Sequence, residues 1–126
     1  MKLNPLLMAA AMTAGLVASA VAADAPADWH PDKPVRIIVP IVGSTNDVLA
    51  RLLAPKLQEA FGQPFVVENK GGAGGNIGAQ EVARAAPDGQ TLLVGYNGPM
   101  AINVTLFEKM PFDPRKDFSP ITLAVK

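Results

Sequence analysis

Three short apolar runs, each closed by a turn of small polar residues, limit what this chain can fold into: Val35–Val39, Phe65–Glu68 and Thr91–Gly95. They are too short for helices. Their apolar character without alternation fits strands buried on both faces. Between them apolar residues recur at helical spacing. Val48, Leu49, Leu52, Leu53, Leu57, Ala60 and Phe61 mark a helix over Asp47–Phe61, and Ile77, Ala79, Val82, Ala83 and Ala86 mark a thinner buried stripe over Asn76–Ala86. Strands alternating with helices imply an α/β fold: a parallel sheet with right-handed crossovers and helices on both faces. Ligands of such sheets bind beyond the carboxyl ends of the strands. The Gly/Ser/Asn-rich loops all follow strands, so they are expected on one edge.

The boundaries are signalled locally. Ser44, with Asp47 three residues on, resembles a capping box for the first helix. Pro55 is expected to bend that helix, and Gly62 and Pro64 to end it. Pro87-Asp88-Gly89 is a turn. Met100–Phe107 suits a helical turn, "EKMPFDPRKDFSP" an irregular crossing, and Ile121–Val125 the start of another strand.

The chain has 126 residues, 49% of them hydrophobic, enough for one small globular domain. Eleven basic and eleven acidic side chains balance, which argues against nucleic acid or an anionic membrane surface as partner. With no cysteine there are no disulfides, thiolate metal sites or cysteine nucleophile. Residues 1–23 read as a secretory signal peptide: Lys2, an apolar stretch from Leu3, and an A-x-A-type end at Ala20/Ala22 or Val21/Ala23. The competing reading is a membrane span. It is disfavoured by alanine richness, by Pro5, Thr13, Gly15 and Ser19, and by the missing basic stop signal. The expected mature chain begins near Asp24, is not inserted in the membrane, and opens with an extended segment to Pro34.

The chemistry on offer is binding. A helix start presents unpaired N–H donors and partial positive charge, suited to carboxylate or phosphate. In "GSTND", Ser44 or Thr45 either simply caps the helix, or Gly43, Ser44, Thr45 and Asn46 line an anion pocket. "GGAGGNIG" matches a dinucleotide fingerprint only loosely, because Ile77 stands at the third glycine position; its glycines also suit tight turning and close helix–strand packing. Asn97 and Gly98 in "YNGP" are ligand contacts or merely a turn. His30 lies in the lead-in without a catalytic role, and Trp29 anchors the N-terminus. Asp32, Asp113 and Asp117 sit among prolines and basic residues as solvated groups. No nucleophile–base set, metal cluster or carboxylate pair stands out, so an enzyme is not expected, nor any cofactor.

Five stretches in collinear order, "DKPVRIIVP", "NDVLARLLAPKLQEAFGQPFVVENK", "GAGGNIGAQEVARAAPDGQTLLVG", "AIN" and "MPFDPRKDFSPITL", together resemble the tripartite tricarboxylate transporter substrate-binding proteins, the Bug family. The resemblance spans Asp32–Val125. It implies a periplasmic protein of two α/β lobes, type II-like, closing on a small organic acid or amino acid, with membrane subunits of a transporter as partners. It also implies ligand contacts at Gly43, Ser44, Thr45, Asn46 and Asp47 of the first loop and at Asn97 and Gly98 of the third, with Asp47 orienting the loop rather than meeting an anion of like charge.

Three departures accompany it. The family's first loop reads P-F-x-P-G-G-x-x-D, whereas "PIVGSTND" is one residue shorter. Such a deletion moves N–H groups by up to about 3.5 Å, well beyond hydrogen-bond tolerance. Gly71 replaces a usual proline. Family chains are also longer, so residues 24–126 correspond to an incomplete first lobe, crossing toward a second near 118–126. One lobe alone is expected to bind weakly or not at all. A non-binding remnant of the family is the alternative, and a nucleotide-using α/β enzyme a third reading.

Overall fold

The computed structural model describes residues 29–125; the expected signal peptide, residues 1–23, lies outside them. Three strands, β1 (Val35–Val39), β2 (Phe65–Asn69) and β3 (Thr91–Leu93), form a parallel sheet in the order β2-β1-β3. Val35 pairs with Phe65 on one side of β1, and Arg36 with Thr91 on the other. The order dictates where the helices go. From β1 to β2 the chain moves one way along the sheet, and from β2 to β3 it moves back past β1. With right-handed crossovers the two connections must cover opposite faces.

The first connection is helix α1 (Thr45–Phe61). With Val35, Ile37, Val39 and Phe65 it forms the main core, contributing Ala50 and Ala54, with Leu57 and Phe61 packed alongside. Leu52 is 66% exposed and Val48 57%, so that side of the leucine-rich stripe taken from the spacing faces outward, while Leu57 and Phe61 of the same stripe meet the core. The apolar arc on α1 is wider than the face that three strands cover, and the small residues let helix and sheet approach closely. Pro55 does not divide α1; it sits on the exposed side, where its missing N–H costs least. Gly62, at φ 73°, ends the helix by donating its N–H to Gln58 O.

Helix α2 (Asn76–Arg84) covers the other face. Its buried residues are Asn76, Gly78 and Ala79, while Ile77, expected inside, is 52% exposed. The Ile77 side chain instead folds against the Gly72 backbone. Beneath α2, Arg36 forks onto Glu68 (Nε–Oε1 2.7 Å, Nη2–Oε2 2.8 Å) and also reaches Glu81, with Lys70 close to both carboxylates. This half-buried network ties β1, β2 and α2 together.

After β3, a π-type turn (Gly98–Ile102) runs into the short helix α3 (Asn103–Leu106), as the Met100–Phe107 reading anticipated. The proline-rich segment has no helix or strand but is built around buried Phe112, edge-on to Phe118 at 5.6 Å. Asp113 and Asp117 organise it: Asp113 N donates to Asp117 Oδ2, and Arg115 N to Asp113 Oδ1. Residues 121–125 form no strand, contrary to expectation. Ile121 and Leu123 are 78% and 72% exposed, because no neighbouring strand among the described residues offers them a ladder. Trp29 does anchor the start, edge-on to Phe61 at 5.4 Å and donating to Asp88 O.

Candidate functional site

The three loops meet at the carboxyl edge because all strands run parallel. Pro40 and Val42 of the first loop adjoin Lys70, Gly71 and Gly78 around the second. Gly74 and Gly75 of the second loop in turn adjoin Asn103 and Tyr96 around the third, and the Tyr96 ring also meets Gly98.

At the first loop the candidate residues divide. Ser44 is the N-cap of α1: its hydroxyl accepts from Asp47 N at 3.3 Å and donates to Ile41 O at 3.2 Å. Asp47, its side chain 13% exposed, accepts from Asn69 Nδ2 at 3.0 Å and pairs with Arg51 at 3.1 Å. The Asn69 hydrogen bond, foremost, and the Arg51 charge hold its carboxyl below the usual range, with the Gly43 N–H contributing. Ser44 and Asp47 are therefore engaged within the protein, as a cap rather than as open contacts. Asp47 does not return a bond to the Ser44 N–H, so the reciprocal half of the capping box is not formed.

Thr45 and Asn46 differ. They occupy the first two positions of α1, whose N–H groups lack intrahelical acceptors. Among the described residues neither N–H has a protein acceptor. The Arg51 charge offsets that of Asp47 beside them, so an approaching anion meets the positive end of α1 without an unpaired carboxylate.

At the third loop Asn97 is exposed and Gly98 half-buried, flanking the start of the π-type turn. The sequence reading missed three residues that organise this edge: Asn69, Tyr96 and Asn103. Asn103 carried a signal, since a polar residue within "AINVTLF" on a short helix is out of place unless bonded. Among the described residues no group of three or more histidines, cysteines or carboxylates could hold a metal.

A parallel α/β layer presenting ligand-accessible loops at one edge is the lobe architecture of a solute receptor, and residues 49–126 match the model of the tripartite tricarboxylate transporter family receptor; the chain belongs to that family. The family is one of binding proteins, not enzymes. The chain is 39% identical to the protein BugT of Bordetella pertussis over 110 residues, which is 86% of this chain and 34% of BugT. A solved structure described as a periplasmic transporter superposes with a TM-score of 0.70 at 50% identity, covering 73% of this chain and 31% of that one. MatC from Rhodopseudomonas palustris, solved with bound malate, superposes with a TM-score of 0.67 at 44% identity, covering 71% and 31%. The chain thus spans about a third of the length of the curated relatives it matches. Two of its solved relatives are described as periplasmic, one of them the binding protein BugD, and no helix among the described residues is long and apolar enough to cross a membrane.

Proposed function

We propose that this chain supplies one wall of a periplasmic binding site for a small organic carboxylate, captured for a tripartite tricarboxylate-type transporter and handed to its membrane subunits. In this reading residues 1–23 are a cleaved signal peptide, residues 24–126 belong to the first lobe, and the chain crosses toward a second lobe near 118–126. The observation that carries it is the pair of N–H groups at Thr45 and Asn46, without acceptors among the described residues, at the positive end of α1. The malate held by MatC, a relative in fold and sequence, supports the ligand class. Asn97 and Gly98 form the opposite side of the site, and Gly43, Ser44 and Asp47 shape the first loop.

One wall leaves a ligand open to water, where a charge-assisted hydrogen bond is worth least. Titration of the chain with malate, followed by amide NMR, should therefore shift the Thr45 and Asn46 signals with a dissociation constant in the millimolar range or weaker. A micromolar constant would refute the need for a second wall, and unmoved Thr45 and Asn46 signals at saturating malate would refute the site. A second reading, a family remnant that binds nothing, draws on the exposed Leu52, Leu106, Ile121 and Leu123. It predicts no cooperative thermal transition.

A further inference from the structure

The glycines of the second loop adjoin the residues that flank the third loop. Gly74 O accepts two hydrogen bonds, from Tyr96 Oη at 3.0 Å and from Asn103 Nδ2 at 2.9 Å. Asn103, 4% exposed, also donates to Oδ1 of Asn76, the first residue of α2, at 2.7 Å. The Tyr96 ring lies against both loops at once. A Cβ on Gly75 would stand 2.7 Å from its hydroxyl, and a Cβ on Gly98 2.5 Å from its ring. Only residues without side chains at 75 and 98 leave room for the ring, and Gly75, at φ 89°, has the backbone conformation that other residues avoid.

We infer that Tyr96 and Asn103 are positioning residues: clasping the Gly74 carbonyl, they fix the backbone at Asn97 and Gly98 against the second loop. This rests on the proposed role of Asn97 and Gly98 as ligand contacts. Tyr96 immediately precedes Asn97, its ring braces Gly98, and its own carbonyl accepts from Met100 N at 3.2 Å, so its orientation sets the start of the turn. Asn103 closes the same turn from its far end, its N–H reaching back to Gly98 O. Two independent donors on one carbonyl hold the second loop at both ends of the segment that carries the contacts. A binding loop held in this way loses less conformational freedom when a ligand arrives.

The test compares the chain with its Tyr96→Phe variant, which keeps the ring and removes only the hydroxyl. Amide NMR of the ligand-free proteins should show shifts at Asn97 and Gly98 as well as at Gly74 and Gly75. Amide exchange at Asn97 and Gly98 should speed up by about fivefold, the factor one neutral hydrogen bond carries. The melting temperature should fall by no more than about 4–8 °C, the shift such a bond carries in a domain of this size. Malate binding should weaken by a similar factor at a temperature where both proteins are fully folded, a change that a merely structural contact would not produce. Asn103→Ala, which removes the other donor, should move the Asn97 and Gly98 signals in the same direction. Perturbation confined to Gly74 and Gly75 in both variants would overturn the inference. If the unaltered chain fails to bind malate, the proposed function falls, while the ligand-free comparison still decides the clasp.

Discussion

Leu52→Ala tests which side of α1 faces the sheet. Fully burying a leucine side chain stabilises by about 1.5–3 kcal/mol. Leu52 is 66% exposed, so the share it buries corresponds to about 0.5–1 kcal/mol. Alanine is the better helix former, which offsets a few tenths of that. The comparison is Ile38, fully buried in the central strand, where replacement by alanine costs about 2–5 kcal/mol and by valine about 0.5–1.5 kcal/mol. Urea unfolding of the three variants should order their midpoints Leu52→Ala, Ile38→Val, Ile38→Ala from least to most displaced, with slopes unchanged. For a domain of this size each kcal/mol moves the melting temperature by about 4–8 °C. If Leu52→Ala cost as much as Ile38→Ala, Leu52 would pack inward and the outward orientation of that side of α1 would be wrong.

Acid should destabilise the chain. Glu68 is held below the usual carboxyl range, chiefly by its hydrogen bond from Arg36, and Asp47 by Asn69. Both bind protons less readily folded than unfolded, so their contribution is complete above the ordinary carboxyl pKa of about 4 and is lost as pH falls through the lowered folded values; melting followed from pH 7 down to 2 checks this. Asn69→Ala removes the foremost cause of the Asp47 shift, and carbon-detected NMR titration should find that carboxyl's pKa raised toward its ordinary value. Gly78→Ala places a Cβ 2.6 Å from Lys70 O and 3.2 Å from Pro40 Cα, both backbone atoms that yield little, and should cost about 1–3 kcal/mol by thermal melting.

The strands, the helices and their alternation were legible because period and length separate a short unbroken apolar run such as Val35–Val39 from the helical spacing of α1. Which face of each helix is buried was legible only in part: Leu57, Phe61 and Ala79 pack inward as expected, Leu52 and Ile77 do not. Spacing shows that an apolar stripe exists, but contact is decided by how closely helix and sheet approach, and here Ala50, Ala54, Gly78 and Ala79 win over Leu52 and Ile77. The strand expected at Ile121–Val125 failed for a related reason, since local propensity supplies no partner ladder. At the site, Ser44 could be read as a cap from its spacing to Asp47. The roles of Asn69, Tyr96 and Asn103 depend on contacts between residues distant in sequence, which no local pattern encodes.

The central position of β1 has a consequence for how the chain is made. β1 leaves the ribosome before both of its neighbours, yet Val35 finds no partner until Phe65 has emerged, and Arg36 completes its second ladder only with Thr91. Parallel pairing across such intervals is slow compared with helix formation. The nascent chain therefore carries an unpaired "VRIIV" segment until β2 and β3 have emerged, and a chaperone that masks this segment would raise the yield of native protein more than one acting on α1.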